Sequence, residues 1–139
     1  MIYAARAFIT RLTIPLANGE RRSSQVTEKV KIGIIGIGAI GSVHAKSYQA
    51  AEGAEITAVC DVDAERLAAR ASEFGVKGQF KDYRKLLAGD VEAVSVCVGN
   101  ALHREVAVAA LRAGKHVLLE KPMALNAAQA RRIQAAAEK

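Results

Sequence analysis

The sequence predicts an α/β fold, namely a Rossmann-type, doubly wound parallel sheet of about five strands. An apolar, β-branched run at residues 30–35 leads directly into a G-x-G-x-x-G motif at residues 36–41. The next apolar run, residues 55–60, ends in Asp61, twenty residues after Gly41. Strand-like and helix-like segments alternate from residue 29 onward, as a parallel sheet with right-handed crossovers requires. A glycine motif alone is weak evidence, but its place between a strand and a helix, together with the acid, indicates a dinucleotide-binding turn.

The glycine loop is the first candidate site. Gly36 allows the tight turn, Gly38 lets the backbone approach a pyrophosphate, and Gly41 lets the following helix pack closely on the strand. The N-terminus of that helix presents free N–H groups and a partial positive charge to the phosphates. We therefore predict cofactor contacts from the whole loop, which comprises Gly36, Ile37, Gly38, Ala39, Ile40 and Gly41.

Asp61 predicts which dinucleotide is bound. A carboxylate at the end of the second strand can accept hydrogen bonds from an adenosine ribose, and it repels a 2′-phosphate at the same place. The sequence thus favours NAD over NADP as the cofactor. The alternative is that Asp61 caps the helix that follows, although Asp63 is better placed for that role.

The remaining elements follow in chain order. Helices are predicted over residues 42–51, 64–74, 82–87, 103–113 and 127–138. Further strands are predicted over residues 55–60, 76–80, 91–98 and 117–119. Asp82 and Asn126 stand where N-terminal caps are expected, and Gly75 stands at a C-terminal cap. A doubly wound sheet would arrange the five strands in the order 3-2-1-4-5, which leaves residues 117–119 as an edge strand.

Composition excludes several classes of protein. The 139 residues suffice for one domain with a real core, and 51% hydrophobic with 24% charged residues is typical of a globular protein. No apolar run approaches the ~20 residues that span a bilayer. The net charge of +6 is scattered, and aromatic residues make up only 4%, so we predict no nucleic-acid partner. Cys60 and Cys97 end strands roughly 10 Å apart, which predicts free thiols in a cytoplasmic protein.

Residues 1–28 do not share the alternating pattern. They are basic, with four arginines and no acid before Glu20. We interpret them as a poorly ordered extension that precedes the NAD(P)-binding domain of residues 29–139. A transit peptide and an over-long translation start remain open alternatives.

The segment after the fourth strand is the second candidate site. Val98, Asn100 and His103 should lie near the nicotinamide half of the cofactor, at the carboxyl edge of the sheet. Asn100 either hydrogen-bonds the ribose or backbone or caps the next helix, and His103 either faces the site or completes the helix start. His44 is predicted to pack, and His116 lies at the opposite edge of the sheet. Histidines so dispersed predict no metal site.

Glu120, Lys121 and Pro122 form the third candidate site. Charged residues that directly follow a buried strand suggest a function. The backbone at this point reaches the predicted crevice at the carboxyl edge of the sheet. Lys121 could meet substrate oxygens or the nicotinamide ribose, and Pro122 stiffens its approach. The alternative is an ordinary strand exit with solvated charges.

These motifs together resemble the nucleotide-binding domain of the glucose–fructose oxidoreductase / inositol dehydrogenase (Gfo/Idh/MocA) family. The resemblance covers residues 29–139 and rests on the glycine loop with His44, on Asp61, on Asn100 with His103, and on the run A-G-K-H-V-L-L-E-K-P at residues 113–122. It implies NAD(P)-linked oxidation or reduction of sugars, polyols and related carbonyl compounds. It also implies that Lys121 is catalytic, and that Asn100, His103 and Glu120 lie along the cofactor.

Two departures from the family pattern affect these expectations. Gly99 stands where the family usually has proline, and the family continues into a sixth strand and a second domain that binds substrate and builds the oligomer. We therefore expect the cofactor-binding half of an oxidoreductase, inactive alone, whose partner is either a further copy in a homo-oligomer or a separate chain that supplies the missing domain. The alternatives are a non-catalytic NAD-binding module, a gene fragment without function, and an S-adenosylmethionine methyltransferase. The sequence does not name the substrate.

Overall fold

A computed structural model of the protein describes the backbone of residues 2–3 and all of residues 28–139. In chain order the elements are β1 (Ile2–Tyr3), β2 (Val30–Ile35), α1 (Ala39–Gln49), β3 (Ala54–Cys60), α2 (Ala64–Phe74), β4 (Gly78–Phe80), α3 (Tyr83–Leu87), β5 (Ala93–Val96), a 3-10 turn (Asn100–Leu102), α4 (His103–Arg112), β6 (His116–Leu119) and α5 (Ala127–Ala137). Within these described ranges, none of the helices has the length and apolar character needed to cross a membrane.

The sheet has the predicted topology. Its strands lie in the order β1-β6-β5-β2-β3-β4, and all neighbours from β6 to β4 are parallel. The five strands after residue 29 thus take the order 3-2-1-4-5, and the prediction of a Rossmann-type fold is confirmed. Because the chain order reverses between β2 and β5, a crevice forms at the carboxyl ends of these central strands.

The prediction that residues 117–119 form the sheet edge was wrong for the described part of the chain. Strand β1 pairs antiparallel with β6, with Ile2 opposite Leu118 and Tyr3 opposite Val117. Backbone groups that an edge strand would leave unpaired are therefore partly used. The interpretation of residues 1–28 as an extension otherwise falls on residues 4–27, which lie outside the described residues.

Strand β2 is buried because helices cover both faces of the sheet. Ile32 and Ile34 contribute to a core cluster that includes Leu67 and Phe74 of α2. Ile35 points to the other face, into a cluster built from α3, α4, α5 and the strands. This alternation along a strand with period two explains why an unbroken apolar run predicts a central parallel strand.

The predicted helix caps are present. The side chains of Asp63, Asp82 and Asn126 accept hydrogen bonds from the first-turn N–H groups of α2, α3 and α5. Gly75 ends α2 in the left-handed conformation, with φ of 67°. Helix α1, in contrast, begins at residue 39, three residues before the predicted start, because the Ser42 N–H already bonds to the Gly38 carbonyl.

Candidate dinucleotide site

One crevice follows the carboxyl ends of β3, β2, β5 and β6. Its first part, of about 330 Å³, is lined by the glycine loop, Asp61, Arg66, Lys81 and the start of the loop after β5. Its second part, of about 250 Å³, is lined by Ile40, Cys97, Val98, Asn100, His103, Glu120, Lys121 and Pro122. Cys97 and Val98 line both parts, so the three candidate sites predicted from the sequence meet in one continuous cleft.

The glycine loop has the geometry that close packing and an anion both require. Gly36 has φ of 89°, and a Cβ there would lie 2.6 Å from the Cys97 carbonyl oxygen. A Cβ on Gly41 would overlap the Gly36 carbonyl oxygen, whereas one on Gly38 would meet no atom of the described residues within 4 Å. Gly36 and Gly41 are therefore required by the protein itself, while the bare backbone at Gly38 faces open crevice.

The N-terminus of α1 is left free for an anion. Gly38 provides no capping side chain, and no acidic residue lies in the first turn of the helix. The first N–H groups of a helix have no intrahelical partner, and the helix dipole places partial positive charge there. The cleft therefore presents donors and positive potential beside the exposed backbone of Gly38.

Asp61 is held by four hydrogen bonds in the first part of the crevice. Oδ2 accepts from the Ile37 N–H at 3.1 Å and from Arg66 Nε at 3.0 Å. Oδ1 accepts from the Asp63 N–H at 3.0 Å and from Arg66 Nη2 at 2.9 Å. Of the two roles considered for Asp61, capping α2 falls instead to Asp63, as the sequence favoured.

Arg66 is the residue at this end that the sequence analysis missed. It lies in the first turn of α2 and reaches back to make a two-pronged ion pair with Asp61. Burial alone would raise the pKa of Asp61, but the Arg66 guanidinium and the N–H groups of Asp63 and Ile37 outweigh it and hold the pKa below its usual value. The only signal in the sequence was an arginine five residues after the acid.

This ion pair should make the fold sensitive to acid. Ionised Asp61 stabilises the folded state above its unfolded pKa of about 4, and this contribution is lost as pH falls through its lower folded value. We expect Asp61→Asn to lower the free energy of unfolding by about 2 kcal/mol at pH 7. Urea unfolding at pH 7, 4 and 3 should show the difference from the unchanged protein shrinking below pH 4. A stability difference that stays constant from pH 7 to pH 3 would contradict a stabilising role for ionised Asp61. Asp63→Asn, at the neighbouring acid, serves as a control.

Lys121 lies at the other end of the cleft. Its side chain is exposed, and it follows β6 in a turn whose Lys121–Pro122 peptide bond is cis. The backbone N–H of Lys121 donates to Glu120 Oε2 at 3.2 Å. Lys121 thus lines the second part of the cleft, which Val98 and Asn100 also line.

His103 lines the buried wall of this cavity. The residue is 1% exposed, and its ring nitrogens lie 2.7 Å from the Pro122 carbonyl oxygen and 2.9 Å from that of Val98. Carbonyl oxygens only accept, so each contact is a hydrogen bond where that nitrogen carries a proton. The histidine ties the loop after β5 to the Lys121 turn. Direct contact with a cofactor stays a prediction.

The loop after β5 answers two questions that the sequence left open. Asn100 begins a 3-10 turn, and Leu102, without a side-chain hydrogen bond, is the N-cap of α4. Asn100 is therefore not the cap of that helix. Gly99 has φ of −60° and ψ of 144°, a conformation that proline also adopts, so the backbone here does not depend on the freedom of glycine.

A polar cluster under the Lys121 turn was not expected. His44 Nε2 lies 2.9 Å from Glu120 Oε1, and His44 Nδ1 lies 3.1 Å from Ser95 Oγ, which is 2.7 Å from the Tyr48 hydroxyl. Chiefly because of the His44 hydrogen bond, with the Lys121 N–H also contributing, the pKa of Glu120 is lowered. The sequence alone predicts packing for His44 and places Ser95 within an apolar strand.

The two cysteines are free thiols. Both line the first part of the crevice. Burial is the main cause that raises the pKa of Cys60 and of Cys97 to about 12. Neither is therefore a thiolate nucleophile at neutral pH.

The fold and the cleft define a Rossmann domain of the dinucleotide-binding class. Comparison with known families identifies it further: the model of an oxidoreductase family with an NAD-binding Rossmann fold, GFO_IDH_MocA, matches residues 30–139. The chain belongs to this family, and the predicted membership and NAD as the cofactor of the domain are confirmed.

This chain covers only part of the length of its named relatives. The inositol 2-dehydrogenase of Salmonella typhimurium is 41% identical over 113 residues, which are 79% of this chain and 34% of that protein. A probable dehydrogenase from Thermotoga maritima superposes with a TM-score of 0.75 at 36% identity, over 78% of this chain and 33% of that one. The scyllo-inositol dehydrogenase of Lactobacillus casei, solved with NAD(H) and scyllo-inositol, superposes with a TM-score of 0.74 at 31% identity. The match covers 78% of this chain and 33% of that one. The chain spans about a third of the length of these relatives.

Proposed function

We propose that residues 30–139 bind NAD(H) along this cleft, as the cofactor-binding half of an oxidoreductase acting on sugars, polyols or related carbonyl compounds. The observation that carries the proposal is the continuity of one crevice from Asp61, past the glycine loop, to Lys121. Relatives named as inositol dehydrogenases support the substrate class.

The residues present fit a dinucleotide. The pyrophosphate would lie against Gly38, where a side chain would fill the space, and against the free N–H groups that begin α1. Asp61 would accept hydrogen bonds from the adenosine ribose. Ile37, Ala39 and Ile40 complete the loop, and their backbone would follow the phosphates.

At the opposite end, Val98, Asn100 and Glu120 would border the nicotinamide. The bound nicotinamide supplies the hydride acceptor or donor. Lys121 would orient the substrate oxygen and hold or release its proton, because its side chain is exposed and the residue lines the second part of the cleft, where a hydroxyl or carbonyl group would lie. His103 would keep the Val98 and Pro122 carbonyls in place beneath.

Cofactor preference provides the direct test of this proposal. We expect NADH to bind at least about tenfold more tightly than NADPH, because repulsion between the Asp61 carboxylate and a 2′-phosphate is worth a few kcal/mol at intermediate dielectric. Asp61→Ala should reduce the difference between the NADH and NADPH affinities. It removes the repulsion between the carboxylate and the 2′-phosphate, and it leaves Arg66 free to bind that phosphate. Fluorescence titration measures both affinities.

The control for this titration is Asp63→Asn, which changes a neighbouring acid but keeps a capping side chain. It should preserve the preference for NADH. Equal affinities for NADH and NADPH in the unchanged protein would contradict the role of Asp61. Binding of S-adenosylmethionine in place of NADH would overturn the oxidoreductase proposal itself.

The partner and location are also proposals. We propose a small sugar or polyol as substrate, a homo-oligomer or separate chain as the protein partner, and a cytoplasmic location. The free thiols support the location, since disulfides are rare in that compartment.

A further inference from the structure

A chain of hydrogen bonds joins the middle of α1 to the turn that carries Lys121. It runs from Tyr48 through Ser95 and His44 to Glu120, and Glu120 in turn accepts from the Lys121 backbone N–H. Its members come from α1, β5 and the end of β6. Apart from Glu120, which would border the nicotinamide, these side chains have not been needed so far to explain how the cleft would hold a dinucleotide.

The chemistry of the groups determines the direction of this chain. The Glu120 carboxylate only accepts, so His44 donates from Nε2. In the neutral ring Nδ1 is then the acceptor, and both the Ser95 hydroxyl at 3.1 Å and the Cys97 thiol at 3.6 Å can donate to it. Where Ser95 donates to Nδ1, the Tyr48 hydroxyl donates to Ser95. The last acceptor is the carboxylate beside Lys121.

Because the members of this hydrogen-bond chain are largely buried, a substitution of one member affects the next. Ser95 is fully buried in a strand whose other residues, Ala93, Val94 and Val96, are apolar. The His44 side chain is 15% exposed. Buried polar groups need partners, so loss of one member leaves the next unsatisfied. The Glu120 carboxylate is therefore held on its inner side by His44 and on its outer side by the Lys121 N–H.

We propose that His44 is a positioning residue for the nicotinamide half of the cofactor. By donating to Glu120, His44 fixes the carboxylate and with it the turn that presents Lys121 to the second part of the cleft. The inference rests on the proposed function, because it assumes that the nicotinamide lies beside Glu120 and Lys121.

Two substitutions of His44 separate positioning from packing. His44→Leu keeps an apolar side chain of similar bulk but loses the donor, whereas His44→Gln keeps an N–H donor near the position of Nε2. If His44 only packs, leucine should be the milder change. If it positions Glu120, glutamine should be the milder one. Ser47→Ala is the matched control, because among the described residues the Ser47 hydroxyl bonds to its own helix alone, at the Val43 carbonyl.

The readout is the affinity for NADH compared with that for ADP-ribose, which lacks the nicotinamide. We expect His44→Leu to weaken NADH binding about tenfold, as the loss of a hydrogen bond to a charged group would, and to change ADP-ribose binding less than about twofold. His44→Gln should recover part of the NADH affinity, and Ser47→Ala should change neither. Calorimetric titration of the 139-residue protein measures all of these values.

A second substitution keeps the test decisive where His44→Leu disturbs folding. Glu120→Ala alters a half-exposed residue and should show the same selective loss for NADH. Adding His44→Gln to Glu120→Ala should then cause no further loss, because His44 acts through Glu120. Equal losses for both ligands, or additive losses in the double variant, would overturn the inference. Failure of the unchanged protein to bind either ligand would instead overturn the proposed function, and the inference with it.

Discussion

Gly41→Ala is expected to leave the protein largely unfolded at 25 °C. The added Cβ would overlap the Gly36 carbonyl oxygen, which belongs to the turn that β2 and α1 share. To relieve this overlap, helix α1 would have to move away from the turn at Gly36. That movement would disrupt the packing of α1 on β2, at the centre of the sheet. A loss of more than about 4 kcal/mol is a large part of the stability of a domain of this size. Circular dichroism and urea unfolding measure it.

Gly38→Ala is the informative control for this substitution. Gly38 has φ of −74°, which suits alanine, and a Cβ there meets nothing within 4 Å. We expect the stability to change by less than about 0.5 kcal/mol, and NADH binding to weaken at least tenfold because the methyl group occupies the place of the pyrophosphate. Gly99→Ala, also free of contacts, should affect neither property strongly. A stable Gly41→Ala protein, or unchanged NADH binding in Gly38→Ala, would contradict this account of the loop.

Local patterns were sufficient for most of the fold. Strand β2 and helix α2 have the predicted bounds because an apolar run, a capping aspartate and a terminal glycine act on neighbouring residues. Strand β5 is shorter than predicted, at residues 93–96, because the chain leaves the sheet at Cys97 to line the cleft. Periodicity alone cannot distinguish a buried strand from buried residues that follow it.

The residues that were missed depend on contacts between distant parts of the chain. His44 and Ser95 are 51 positions apart, and His44 and Glu120 are 76 apart. Nothing in the local sequence around a serine within an apolar run, or around a histidine on a helix, predicts the hydrogen bond between them. Arg66 was missed for a different reason: it is close to Asp61 in sequence, but only the turn before α2 brings its guanidinium back onto the carboxylate. Strand pairing of residues 2–3 with β6 likewise has no local signal.

The last prediction is that the 139-residue polypeptide binds NAD(H) but does not turn over sugars or polyols at a measurable rate. Oxidation of an alcohol requires a group that takes the hydroxyl proton and a pocket that holds the carbon against the nicotinamide. A positioned proton-transfer group contributes about 10²–10⁴-fold, and positioning can contribute more. Among residues 28–139, the cleft offers Lys121 on one wall, and His103 is held by two backbone carbonyls. Lys121 is exposed, so the described residues do not exclude water from the reacting atoms.

The assay for this prediction is NADH formation over a panel of polyols and sugars, with the inositol 2-dehydrogenase of Salmonella typhimurium and inositol as the positive control. Lys121→Ala should leave NADH affinity within about threefold, because in the proposed binding mode other residues hold the phosphates and the adenosine ribose. No turnover together with NADH binding would agree with a cofactor-binding half that needs a second wall, supplied by a longer chain or a partner. Robust activity that disappears in Lys121→Ala would show instead that these residues are sufficient for catalysis, with Lys121 as the group that handles the proton.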